Sequence, residues 1–167
     1  AFLLPMEYVF EDFIFGFIDK ELENVTAKAQ RSDTYLDEDK AFNLKPDLWL
    51  KTDHKSLIAD TKYKIVYSDE KGPKKGISQN DLYQMLAYAV RFEVNEIILF
   101  YPNTIKQGQE EGTELTIKDA LANGKEIFVK AFQLPIINRE LLESDLETKT
   151  DLSELFESTK SELKNKL

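Results

Sequence analysis

No cysteine occurs among the 167 residues, which excludes disulfides and thiolate metal sites. Long apolar runs are missing too. The longest are far too short to span a bilayer, and no basic leader with a cleavage site is visible. No G-x-x-x-x-G-K-[ST] phosphate loop is present, so a nucleotide-driven motor would have to be a separate protein. No internal repeat is found. Positive charge is in deficit: 22 basic against 31 acidic residues leave a net charge of −9, which argues against a general nucleic-acid-binding surface. These absences point to a soluble, cytoplasmic protein without a membrane partner. The chain opens at Ala1, inside a helix lead-in, and is expected to be a fragment of a longer polypeptide.

What is present is an ordinary globular composition, 42% hydrophobic, in a chain long enough for one domain with a sizeable core. The charge is unevenly spread. Residues 40–75 hold nine lysines against five acids, a basic stretch inside an acidic body. Lysines that only solvate strand edges are the plain explanation for most of them.

Within that stretch, residues 43–66 read as two β-strands joined by a tight turn, with polar Asp53-His54-Lys55 supplying turn chemistry. His54 is read as solvated. Side chains alternate faces along a strand, so Asp60, Lys62 and Lys64 share one face, and Asp47 shares one with Lys45 and Trp49. If Lys51 pairs with Ser56, Asp47 stands opposite Asp60; if Thr52 pairs with Leu57, it stands opposite Lys62. Both registers gather the two carboxylates and the lysine on one face, whereas a one-residue slip throws Asp47 to the far side. Such a trio can hold a divalent metal and activate a water. Without it, Asp60 would be read as an ion-pair partner of Lys62 or Lys64.

A helix is predicted over 5–23, with Val9, Phe10, Phe13, Ile14, Phe17 and Ile18 at helical spacing and Glu7 and Glu11 stacked on one face. Residues 25–30 read as a strand and 31–41 as a polar loop. Residues 68–78, with two glycines, a proline and three lysines, read as a loop able to lie over a substrate backbone. A helix follows over 79–93, capped by Gln79, Asn80 or Asp81, with Leu82, Met85, Leu86, Ala89 and Val90 buried and Gln84 and Tyr88 on one face. Tyr88 is equally readable as a core aromatic. Strands are expected over 96–101, 113–117 and 126–134, with a polar loop over 103–112. The tail, 138–167, is charged and helical in propensity, with Asp151 or Ser153 as cap, and could dock on the body or on a partner. The order gives an α/β fold with a small central mixed sheet flanked by helices.

Pro46-Asp47, Asp60-Thr61-Lys62 with twelve residues between the two aspartates, and Gln84-Met85-Leu86-Ala87-Tyr88 on the next helix resemble the PD-(D/E)xK nuclease superfamily. The segments FEDFI at 10–14, PDLWL, DTKYK and DLYQMLAYA at 81–89 look like the nuclease domain of McrC, the cleaving subunit of McrBC-type modification-dependent restriction systems. The similarity runs over about residues 6–102.

The resemblance implies a restriction-endonuclease-like core over 1–137 with 138–167 as its helical extension. It implies a metal-dependent DNA endonuclease that works with a GTP-hydrolysing AAA+ motor (McrB-like). Mg²⁺, with Mn²⁺ as substitute, would be held by Asp47, Asp60 and the carbonyl of Thr61. Lys62 would orient the attacking water, its pKa depressed by the metal. Glu11, with Glu7 as fallback, would position metal-bound water or a second metal, and Gln84 and Tyr88 would contact the DNA backbone or brace the site. Two further readings compete: a non-catalytic assembly or DNA-binding module that keeps the fold, and a stand-alone RecB-like repair nuclease.

Overall fold

The computed structural model describes residues 5–29, 33–64, 77–102, 113–119, 124–134 and 149–167. Eleven elements follow in chain order: α1 (Met6–Glu21), β1 (Thr26–Ala29), β2 (Thr34–Tyr35), β3 (Asn43–Leu44), β4 (Leu48–Lys51), β5 (Ser56–Thr61), α2 (Gln79–Phe92), β6 (Glu96–Pro102), β7 (Thr113–Asp119), β8 (Lys125–Leu134) and α3 (Lys149–Lys166). Residues 68–76 of the predicted 68–78 loop, the predicted loop at 103–112, and Leu141, Leu142 and Leu146 lie outside the described residues.

Six strands form one mixed sheet in the order β1-β4-β5-β6-β8-β7. The β5–β6 and β6–β8 pairs are parallel; the others are antiparallel. Parallel strands buried on both faces need near-continuous apolar runs. Leu57-Ile58-Ala59 on β5 and Ile97-Ile98-Leu99-Phe100 on β6 supply them, and all seven are sealed from water.

Alternation along these strands sorts the core into two layers. Leu48, Leu50, Leu57, Ala59, Ile98 and Phe100 pack with Phe10, Ile14, Phe17 and Ile18 of α1. Ile58, Ile97, Leu99, Ile127 and Val129 pack with Met85, Tyr88 and Ala89 of α2. The sheet is therefore a septum, with α1 on one face and α2 on the other. The tail docks on the body: α3 joins the α1 layer through Leu163, a Phe156–Phe17 ring contact of 4.9 Å and a Lys160–Glu21 ion pair of 2.9 Å.

Several expectations are corrected. Ser78 caps α2, its Oγ accepting from the Asp81 N–H at 3.1 Å, so none of Gln79, Asn80 and Asp81 does. Val90 is half exposed and Tyr88 takes its place in the buried stripe. Likewise Val9 and Phe13 of α1 face water, because the seam in contact with the sheet is narrower than the apolar stripe. Part of the predicted 31–41 loop pairs instead: β2 and β3 form a small antiparallel ribbon, with the Arg91 guanidinium donating to the Tyr35 carbonyl at 2.6 Å. α3 begins at Lys149, so Asp151 and Ser153 lie inside it rather than at its start.

Candidate active site

The β4–β5 hairpin has the first of the two expected registers. Lys51 pairs with Ser56 and Leu48 with Ala59, so the ladder's next step sets Asp47 against Asp60. The turn is organised by Thr52, not by the Asp53 side chain. Its Oγ1 accepts from the N–H groups of His54 and Lys55, at 3.3 and 3.2 Å, and its own N–H donates to the Lys55 carbonyl. This closes the hairpin at one length and fixes the register at its far end. His54 is exposed there.

At that far end the acids meet. One oxygen of Asp47, Oδ2, accepts from the Thr61 N–H at 2.7 Å and from Thr61 Oγ1 at 2.8 Å. The Asp47 N–H points at Asp60 Oδ1, 3.4 Å away. Asp60 is 1% exposed, and its Oδ2 lies against the Lys62 ammonium without an aligned hydrogen bond. Burial, then the charge of Asp47, pushes the Asp60 carboxyl up to about 6, although Lys62 opposes the shift. Burial also works to lower the Lys62 pKa, but the surrounding acids, Asp60 first, raise it overall.

Helix α2 closes the site from above. Lys62 donates to Gln84 Oε1 at 3.1 Å, Gln84 Nε2 donates to the Tyr88 hydroxyl at 2.8 Å, and that hydroxyl donates to the Lys45 carbonyl at 3.0 Å. Gln84 and Tyr88 therefore form a rail from the lysine to the backbone just ahead of Pro46-Asp47. Tyr88 is both core aromatic and brace: its ring is 2% exposed, and burial raises its pKa.

A third acid, read from sequence only as a cap, faces the same end of the sheet. Asp81 is buried, and both its oxygens take the Lys64 ammonium at 2.9 Å, with the Tyr101 hydroxyl 3.4 Å from Oδ2. Burial opposes its charge, but hydrogen bonds from Lys64 and Ser78 hold its pKa below the usual range. The signal was its spacing: three residues before Gln84, on the same helix face.

Glu11 is half-buried on α1, in the layer opposite α2. The ring of its neighbour Phe10 meets Tyr63 with centroids 6.0 Å apart, so this turn of α1 borders the exit of β5. Glu7 is exposed. Asp47, Asp60, Thr61, Lys62, Gln84 and Tyr88 are thus joined by direct contacts, and Glu11 belongs to the other layer at that end.

Among the described residues, no three His, Asp or Glu side chains group closely enough to hold a metal by themselves. The donors present still fit a hard cation. Mg²⁺ takes one or two carboxylates and keeps several waters, and Asp60 Oδ2 is a buried anion with no aligned donor.

Among the described residues, no helix is long and apolar enough to cross a membrane. No curated protein matches the chain. One solved structure that it resembles is the refined half-complex from the tetradecameric assembly of Thermococcus gammatolerans McrB AAA+ hexamers with bound McrC. The TM-score is 0.65 at 17% identity, over 100% of this chain and 34% of that one. The chain thus spans about a third of the length of the protein it matches there, and at that identity the likeness speaks for the fold. The family model of the McrBC 5-methylcytosine restriction system component matches residues 1–102, well over half of the chain, and the chain therefore belongs to that family.

Proposed function

We propose that the chain is the DNA-cleaving domain of a restriction-system subunit: a metal-dependent endonuclease that works with a separate GTP-driven AAA+ motor. The observation that carries this reading is the convergence of Asp47, Asp60 and Lys62 at one end of the β4–β5 hairpin, with Asp60 Oδ2 buried and lacking an aligned donor. Two carboxylates this close repel unless a cation lies near both. Asp47, Asp60 and the Thr61 carbonyl would hold Mg²⁺ or Mn²⁺. When bound, the ion supplies charge compensation at the scissile phosphate and acidifies water.

The chain's own residues do the rest. Thr61 fixes the Asp47 carboxylate from two directions, so one of its oxygens is committed and its plane is set. Lys62 places an ammonium where negative charge grows on the phosphate, and orients the attacking water. Gln84 holds that ammonium, and Tyr88 holds the backbone that carries Asp47. Glu11 positions water from the α1 layer. The net charge of −9 suits a subunit that relies on its motor to retain DNA, because neutralising phosphates governs free affinity.

The test is cleavage of 5-methylcytosine-bearing plasmid with Mg²⁺ or Mn²⁺, with and without motor and GTP, by the native protein and Asp60→Ala. Cutting by the native protein and none by Asp60→Ala is expected. No cutting even with the motor would replace this reading by a non-catalytic assembly module. A strict need for free DNA ends would favour a stand-alone repair nuclease.

A further inference from the structure

Helix α2 grips the end of β5 twice. One grip is Gln84 on Lys62. The other is Asp81 on Lys64, one helical turn earlier and two residues further along the chain. The second pair is asymmetric: the Lys64 side chain is 52% exposed, while the Asp81 side chain is 7% exposed. A lysine meant only to solvate the surface would not need a buried carboxylate as partner. A buried carboxylate, in turn, is stable only with its donors in place, and Asp81 has Lys64 with Tyr101 close by. The β5 ladder ends at Thr61, and beyond it the strand is fastened to β6 through the Lys62 N–H on the Phe100 carbonyl, 2.8 Å long. Past that bond, the Lys64–Asp81 bridge fastens the backbone to α2 on the side of the catalytic face.

We propose that Asp81 is a positioning residue of the nuclease site: through Lys64 it holds the exit of β5 against α2 and so fixes where the Lys62 ammonium and the Thr61 carbonyl lie. The inference rests on the functional reading above and adds two residues to it. Asp81 touches neither substrate nor metal in this account. It acts on the chemistry by removing freedom from the segment that carries Lys62. Lys64 is the tether and needs a donor that can satisfy both carboxylate oxygens, so arginine can replace it and methionine cannot.

The test uses the full subunit with its motor, GTP and methylated DNA. Lys64→Met and Asp81→Asn should each lower kcat by about 10- to 100-fold, the scale of a small misplacement at a reacting centre, with KM for DNA unchanged. Lys64→Arg should restore most of the rate. The double variant should be no worse than either single one, because the two residues act as one couple. A rise in KM alone would make Lys64 a DNA contact and overturn the proposal. So would an unchanged kcat, or losses that multiply in the double variant. Asp81→Asn risks the fold, but Lys64→Met removes the same bridge from a half-exposed position. A second readout needs no catalysis: the ¹⁵N signal of the Lys62 ammonium, assigned with Lys62→Arg. It should shift or broaden in Lys64→Met and return in Lys64→Arg. If the native protein fails to cut, the nuclease reading falls, and this signal alone decides the positioning claim; an unchanged signal overturns it.

Discussion

The two faces of the same sheet are built to different ends. On the α1 face, β5 offers Leu57 and Ala59, and the layer is closed with apolar side chains from α1, β4, β6 and α3. On the α2 face, the alternate residues of β5 are Ile58 and then Asp60, and the apolar layer gives way to Asp60, Lys62, Gln84, Tyr88 and Asp81 at one end. One face holds the fold together. The other gives up apolar contact to keep buried charges close. A carboxylate that is 1% exposed and carries a raised pKa works against stability, and strain of this kind persists where chemistry needs it.

The largest expected effect breaks the α2 face alone. Asp60→Asn or Lys62→Ala should lower motor-coupled cleavage by about 10³-fold or more, since each removes charge stabilisation from a water-poor site. Circular dichroism should show the fold intact.

The mirror experiment breaks the α1 face. Ile14 is sealed from water, and Ile14→Ala should cost about 2–5 kcal/mol in urea unfolding, through lost burial and the cavity left behind. Cleavage per folded molecule should stay near the native value. A parallel collapse of cleavage with no loss of stability would erase the division between the faces.

A pH titration sharpens the comparison further. The Asp60 carboxyl titrates at about 6 in the fold and near 3.8 in the open chain. Between these values the folded state holds the extra proton, so this group's contribution is fully present below pH 4 and is lost as pH rises through 6. In EDTA, the difference in Tm between Asp60→Asn and the native protein should therefore grow from pH 4 to pH 7 in favour of the variant. Added Mg²⁺ should raise the native Tm and leave that of Asp60→Asn in place. A flat difference across that range would remove the claim that Asp60 opposes folding.

The smallest effect belongs to the brace. Tyr88→Phe keeps the ring in the core but drops the bonds to Gln84 and the Lys45 carbonyl, at about 1 kcal/mol of stability. Cleavage should fall severalfold, with chemical denaturation and initial rates as the two measures.

Much of this was legible in the residues. Leu48 and Leu50 against Trp49, and Leu57 and Ala59 against Ile58 and Asp60, give a period of two that commits Asp47 and Asp60 to a common face once the register is set. The register itself was narrowed to two, and Thr52 chose between them by a turn bond that polarity alone did not reveal. The ribbon of β2 and β3 was hidden because so short a pair has little apolar signal of its own and is held from outside by Arg91. Asp81 was misread because a carboxylate in the first turn of a helix is the ordinary sign of a cap. Its real partner, Lys64, comes from the segment just after β5, 17 residues earlier, and only the folded chain brings them together.

The seat of α3 has a practical side. Its Leu163 is sealed into the α1 layer, and its Phe156 lies on Phe17. A chain stopped at residue 134 would lose the Phe156 ring from Phe17 and the Lys166 ammonium from Phe132, next to the already exposed Phe13. Such a product should clump during expression, so shortened versions of this protein ought to keep α3.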